Sequence, residues 1–390
     1  MPNLKKPMHE PISYKGVTAT FTFLAITIVA NIYMMIPLTN DLHHLFTAST
    51  TPMAWASSIF MLFYAFGLLI FGPLSLRFRP KQIILFGLVA LIICTSTLAF
   101  VSTIHSLLII RALQGFFAAS FAPVAFTYLL EQFPPEKRLL PLALMNSGFL
   151  AAGIFGQFMG ASLLLLYDWT IMFLIFSAIY LIGFFLVVCY VPQTKTPKLR
   201  QNLLSTWTKM FALILKRPLR YTYLITITLL LSFVSYYASV GEHLKVVHQT
   251  NEQQILFFRA CGLIGMFVIP FLNDVSKKFG YINLLIIGLC ASIAGLAVEL
   301  FFTPLGASYI SSILFVSGIA VVIPVIVHLI GTLDHSYKSE AVSLYTFILL
   351  IGAALGSIIA SLTSPKTMYM IVIALLVMDL MVVSLLKRYL

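Results

Sequence analysis

The sequence predicts an all-α polytopic membrane protein, with twelve transmembrane helices in two pseudo-symmetric six-helix halves. Three observations carry that prediction. Apolar runs of about 20 residues recur along the chain, each long enough to cross a bilayer as a helix. Lys and Arg collect in alternate connections between the runs. A short basic turn, Gly72-Pro73-Leu74-Ser75-Leu76-Arg77-Phe78-Arg79-Pro80-Lys81, has a counterpart in Asn273-Asp274-Val275-Ser276-Lys277-Lys278-Phe279-Gly280. Ser75 and Ser276, Arg77 and Lys278, and Phe78 and Phe279 are each 201 residues apart.

Composition excludes the soluble classes. Of 390 residues, 60% are hydrophobic and 9% charged, more apolar surface than a soluble core of this length can bury. A porin-type barrel would alternate apolar and polar residues, and stretches such as 83–100 do not. The four cysteines (Cys94, Cys189, Cys261, Cys290) lie inside apolar runs without metal-like spacing and read as small buried hydrophobes. Polar, basic residues precede the first run, and no small-residue cleavage site follows it, so it is expected to be a retained helix.

In chain order, spans are expected to start near Val17, Trp55, Gln82, Ile104, Leu139 and Trp169, then near Tyr221, Glu252, Ile282, Gly306, Glu340 and Thr367. Residues 1–191 and 221–390 are the expected six-helix bundles, joined by a basic cytoplasmic linker, 192–220. Within the linker, 203–215 is expected to form an amphipathic helix on the membrane surface.

Charge sets the expected orientation. With the N-terminus cytosolic, that side receives Lys5, Lys6, Lys15, the Arg77/Arg79/Lys81 turn, Lys137, Arg138, the linker, Lys277, Lys278, Lys338, Lys387 and Arg388. The other side receives Lys245 and Lys366. Both termini are therefore expected inside a cell membrane. The net charge of +12 then reflects topology and contact with anionic lipid heads, not nucleic acid. The repeat also pairs Pro123 with Pro324 and Asp41 with Glu242, again 201 apart, as duplicated halves would.

These features resemble the major facilitator superfamily over essentially the whole chain. The family's turn between its second and third helices reads Gly-x-Leu-Ala-Asp-Arg-x-Gly-Arg-Lys. Gly72, Leu74, Ser75, Arg77 and Lys81 fit it, whereas Leu76 replaces the gating acid and Arg79 the second glycine. Arg111-Ala112-Leu113-Gln114-Gly115 is similar to the family's Arg-x-x-Gln-Gly signature. In the fifth span, Gly156, Gln157 and Gly160 resemble the antiporter signature Gly-x-x-x-Gly-Pro-x-x-Gly-Gly, with Gln157 in place of proline. Helix packing alone also accounts for such glycines. Gly352 and Gly356 are the second-half counterparts.

The resemblance implies a midplane cavity lined by the first, fourth, seventh and tenth helices. Its candidates there are Asn31, Tyr33, Arg111, Gln114, Ser235, Tyr236, Tyr237 and Ser317. An arginine at the depth of Arg111 is expected to face a wet cavity or a partner, or else to snorkel to the interface. Adjacent Tyr236 and Tyr237 cannot both face inward, because helix neighbours point about 100° apart. Candidate proton carriers are Asp41, Glu242, Glu299, His328 and Asp379. A structural helix–helix pair is the competing role for Asp379, a solvated helix end for Asp41 and Glu242, and a hydrogen-bonded core position for His328.

The leading expectation is a monomeric secondary transporter exporting a small organic molecule in exchange for protons, among membrane lipids and without cofactor or metal. The candidate cargoes are a drug-like compound, a metabolite or a siderophore-like chelator. Import of a metabolite and lipid flipping stay open on the same fold. A polytopic enzyme or receptor is the alternative from another class. It lacks support: there is no Gly-rich phosphate loop, no His-Glu-x-x-His and no Gly-x-Ser-x-Gly.

Overall fold

A computed structural model describes residues 13–35, 50–75, 77–194, 203–333 and 337–389. Among these, all regular structure is helical. Ten helices are long and apolar enough to cross a membrane, and Ser58–Leu74 is a shorter apolar one. The segment Gln253–Phe301 counts once there but holds two spans, because Gly280 breaks it with a φ of 77° in open space. Among the described residues the spans are thus twelve, and they start within about five residues of the positions read from the sequence.

The first six are Tyr14–Tyr33, Thr50–Leu74, Pro80–Leu98, Ile104–Gln132, Pro135–Leu166 and Trp169–Tyr190. The last six run from Arg217–His248 through Glu252 to Gly280, on to Phe301, then Leu305–Leu333, Lys338–Leu362 and Pro365–Leu386. Local chemistry sets several starts. Pro80, Pro135 and Pro365 stand in first turns, where a missing N–H costs nothing. Asn251 and Gln254 form a reciprocal capping box at the eighth span. The fourth span breaks at 119–121 before Pro123, and the eighth tightens to a 3-10 helix over Leu263–Phe271, which contains Pro270.

The two halves repeat the same packing. The first span lies along the fifth and the seventh along the eleventh; the third packs on the sixth and the ninth on the twelfth. Glycines permit the closest approaches. A Cβ on Gly156 would stand 2.4 Å from the Ala30 carbonyl oxygen, and one on Gly356 2.4 Å from that of Leu231. One on Gly115 would stand 2.2 Å from the Phe60 carbonyl oxygen.

One end of the molecule, the basic face where odd-numbered spans begin, is sealed by contacts between the halves. Ser75 and Ser339 hydroxyls lie 2.6 Å apart, and each is 2.7 Å from the Gly72 carbonyl. Nearby, Leu130 of the fourth span packs on Gly331 of the tenth, and Phe126 meets Tyr345 edge-on. The linker forms a helix over Leu203–Ala212 and a 3-10 turn over Leu213–Leu215. Trp207 donates from Nε1 to the Leu69 carbonyl at 3.1 Å, and Lys209 and Lys216 lie over the Tyr337 ring, so the linker touches both halves at the seal.

Candidate functional site

Above this seal lies a cavity of about 410 Å³. Both halves line it, from the first, second, fourth and fifth spans on one side and the seventh, eighth, tenth and eleventh on the other. The second, fifth, eighth and eleventh spans thus add to the four expected to do so. Its walls are mainly aliphatic and aromatic, with Met61, Tyr64, Phe126, Phe149 and Phe233 prominent. Polar groups come from Tyr33, Tyr64, Asn146, Gln157, Tyr237 and Thr346, and among the described lining residues Arg259 carries the charge. Arg259 Nη1 donates to Gln157 Oε1 across the halves at 3.3 Å, and Tyr237 and Ser312 share a hydrogen bond of 2.9 Å.

The residues singled out by sequence divide into groups. Tyr33, Gln157 and Tyr237 line the cavity. Tyr236 turns away, as the helical rotation requires, to a 3.1 Å hydrogen bond with Ser311 and a ring contact with Phe315. Ser317 is half-buried and donates to the Leu314 carbonyl of its own helix, and Ser235 bonds to that of Leu231.

Arg111, Gln114 and Asn31 are fully buried behind the cavity wall rather than along it. Arg111 Nη1 donates to Asn31 Oδ1 at 2.5 Å and Gln114 Oε1 at 2.6 Å, and its guanidinium covers the Phe60 ring at 4.5 Å. Gln114 donates onward to Thr95 (2.8 Å) and Asn31 to Tyr180 (2.7 Å). The cluster joins five of the six spans of the first half. Its arginine has partners, one of the environments expected for it, because Asn31 and Gln114 accept its hydrogen bonds inside the bundle.

The described titratable candidates are not among the described lining residues. Glu299 accepts from Ser308 at 3.0 Å, between the ninth and tenth spans. Asp379 is fully buried and accepts from Thr228 at 2.5 Å, joining the twelfth span to the seventh. His328 is buried against the Tyr281 ring at 4.4 Å, and Glu242 is exposed at a helix end. Asp41 and Leu76 lie outside the described residues.

Of the turn motif, Gly72 and Ser75 belong to the seal, Leu74 is half-buried and Arg77 is exposed. Lys81 donates to the Val188 carbonyl at 2.9 Å, tying the third span to the sixth. Gly160 is buried in the fifth span. Tyr64, Asn146, Phe149, Phe233 and Thr346 had no sequence signal, being ordinary residues of apolar helices. Arg259 had one, as an embedded cation.

Comparisons with known proteins agree with this architecture. A family model described as the Major Facilitator Superfamily matches residues 18–361. The chain is 24% identical over 387 residues to the "Uncharacterized MFS-type transporter YybF" of Bacillus subtilis (strain 168), covering 98% of this chain and 94% of that one. It is 29% identical over 141 residues to "Multidrug resistance protein 3" of the same organism, 36% of this chain and 28% of the relative. With the "Multi-drug resistance efflux pump PmrA" of Streptococcus pneumoniae it shares 25% over 227 residues, 56% of this chain and 55% of the pump. The match therefore spans well under two thirds of either named efflux protein. Among solved structures, the human organic anion transporter MFSD10 (TETRAN) superposes with a TM-score of 0.80 at 15% identity, over 96% of this chain and 100% of that one, a likeness of fold.

Proposed function

The chain belongs to the Major Facilitator Superfamily, and from that premise we propose that it exports small amphiphilic organic molecules in exchange for protons, by alternating access. The observation that carries this reading is the cavity shared by two similar halves and closed at the basic face by Gly72, Ser75 and Ser339. A rocking motion that opens this seal and closes the other side would carry a cavity-sized cargo across. The aromatic and aliphatic walls suit an amphiphilic body. The names of the partial matches to efflux proteins support the outward direction, and Lys and Arg placement supports a cell membrane with both termini cytosolic.

For the coupling proton we assign Glu299. It is buried, bonded to Ser308, and separated from the cavity by Tyr236 and Tyr237, whose rings lie 5.2 Å apart. A buried carboxylate that gains and loses a proton between the two states is the chemistry antiport requires.

The test is substrate-dependent proton flux in sealed proteoliposomes across a panel of aromatic cations, anions and neutral compounds. Proton movement triggered by a panel member in the wild type, with substrate exchange but no net proton flux in Glu299→Gln, is the expected pattern. Transport that ignores an imposed pH gradient in the wild type would overturn the coupling.

A further inference from the structure

We infer that an anionic phospholipid binds at the basic face, in the seam between the seventh and twelfth spans, with its phosphate held by Arg217, Arg220, Lys387 and Arg388. Such a site depends on the chain spanning a membrane, and not on its cargo or its coupling. The seventh span begins at Arg217, and the twelfth ends at Leu386 with a 3-10 turn over Lys387–Tyr389. The two spans pack along each other, and at this end the Tyr221 and Tyr389 rings lie 5.9 Å apart. That contact brings four cations to one place, all of them exposed. Arg220 stands over the Tyr221 ring at 5.7 Å, which keeps its guanidinium beside the ring pair. No Asp or Glu occurs between 169 and 241 or after Asp379, so neither segment carries an acid to neutralise the cluster.

Charge alone would attract any phosphate. The surface below the cations is what selects a lipid. On the seventh span, Arg217, Arg220 and Leu224 fall at i, i+3 and i+7, one face of a helix. On the twelfth, Met381, Leu385 and Arg388 fall at i, i+4 and i+7. Leu224, Met381 and Leu385 are exposed and lie one to two turns further into the membrane. Each stripe therefore passes from apolar at depth to cationic at the edge, the profile of a phospholipid with its chains below and its phosphate above. The linker continues the same surface. Phe211, Ile214 and Leu215 are exposed while Met210 and Leu213 are buried, as on a helix lying at the interface.

The general bias of Lys and Arg to one side does not account for the cluster. Lys15 flanks the first span as Lys216 flanks the seventh, at the repeat offset of 201, and that charge is common to both halves. The four cations have Gly16, Ala19, Leu186 and Val187 as their counterparts, and Tyr221 and Tyr389 have Thr20 and Val188. The same seam in the first half thus has neither the charges nor the rings.

Native mass spectrometry of the full-length protein in neutral detergent, titrated with dioleoylphosphatidylglycerol or dioleoylphosphatidylcholine, tests the site. The two lipids share their chains and differ in net charge. We expect the first phosphatidylglycerol to bind about tenfold or more tighter than the first phosphatidylcholine, as clustered charge-assisted bonds to one phosphate should allow. Arg217→Gln/Arg220→Gln and Lys387→Gln/Arg388→Gln, all at exposed positions, should each lose most of that preference. Lys277→Gln/Lys278→Gln, which removes two exposed cations on the turn before the ninth span, should keep it. Glycerol phosphate in large excess, a phosphate without chains, should fail to displace the lipid. Equal binding of the two lipids, a preference kept by either site variant, an equal loss in the Lys277/Lys278 variant, or displacement by glycerol phosphate overturns the assignment.

Discussion

Gly72→Ala is the most direct test of how the basic face closes. An added Cβ would stand 1.4 Å from Ser343 Oγ and 2.5 Å from Ser343 Cβ. The hydroxyl can rotate away, but the Cβ is fixed to the backbone of the eleventh span, so the second and eleventh helices must separate. Overpacking of this kind typically costs about 1–3 kcal/mol. The cost falls on the sealed state alone, because opening the face parts the two helices. A bias of that size shifts the balance between the two states by roughly 5- to 150-fold.

Spin labels at Arg77→Cys and Lys278→Cys, on repeat-related exposed turns of opposite halves, read the outcome in a cysteine-depleted background. Double electron–electron resonance should show the Gly72→Ala distance distribution moving to longer values, with slower turnover. Adding Ser343→Gly, which removes the opposing Cβ, should restore both. A distribution unchanged by Gly72→Ala, or a double variant no closer to wild type than the single one, would refute the clash as the source of the effect.

Arg111→Ala should lower the melting temperature and transport together, because it strands Asn31 and Gln114 acceptors at about 1–3 kcal/mol each; lost transport with unchanged melting would contradict a scaffold role. Gly156→Ala should destabilise by about 1–3 kcal/mol, since the atoms its Cβ would meet are all backbone of Ala30, the carbonyl oxygen at 2.4 Å and two carbons at 3.0 Å. Gly153→Ala, with 3.6 Å to the Tyr33 ring, is the control and should melt as wild type does. Asp379→Asn should change stability by less than about 1 kcal/mol and leave proton flux intact, because an amide still bonds Thr228. Loss of proton flux in a folded Asp379→Asn protein would move the coupling group from Glu299 to Asp379.

The architecture was legible because it rests on properties carried by the chain itself. Hydropathy, charge placement and a fixed repeat each survive without tertiary information, and a helix of about 20 apolar residues has few alternatives in a bilayer. The separation of Tyr237 from Tyr236 followed from helical rotation alone. What the sequence could not give was the azimuth of whole helices. Arg111 turns into its own bundle because Asn31, 80 residues earlier, and Gln114 happen to meet it there. Nothing local distinguishes that outcome from a cavity-facing arginine. The cavity contributions of Tyr64, Asn146 and Thr346 were hidden for the same reason: their helices read as uniformly apolar, and only packing decides which stripe is left uncovered.

The deepest information lies where the two halves stop matching. Their backbones keep the repeat, since Gly156 on Ala30 and Gly356 on Leu231 are the same contact made twice. The side chains do not. Asn31 and Arg111 have Ser232 and Ser312 at the repeat offset, so a cationic cluster in the first half corresponds to small hydroxyls in the second. There Ser312 bonds Tyr237 at the cavity edge, and the charge appears on the eighth span as Arg259 instead. The first half therefore encloses Arg111 within its own bundle, and the second places Arg259 at the cavity wall. A symmetric pair of bundles rocking about a common axis needs only the matched contacts. Selecting a cargo needs the mismatch, and the positions that break the repeat are where substitutions should alter what is carried rather than whether the helices move.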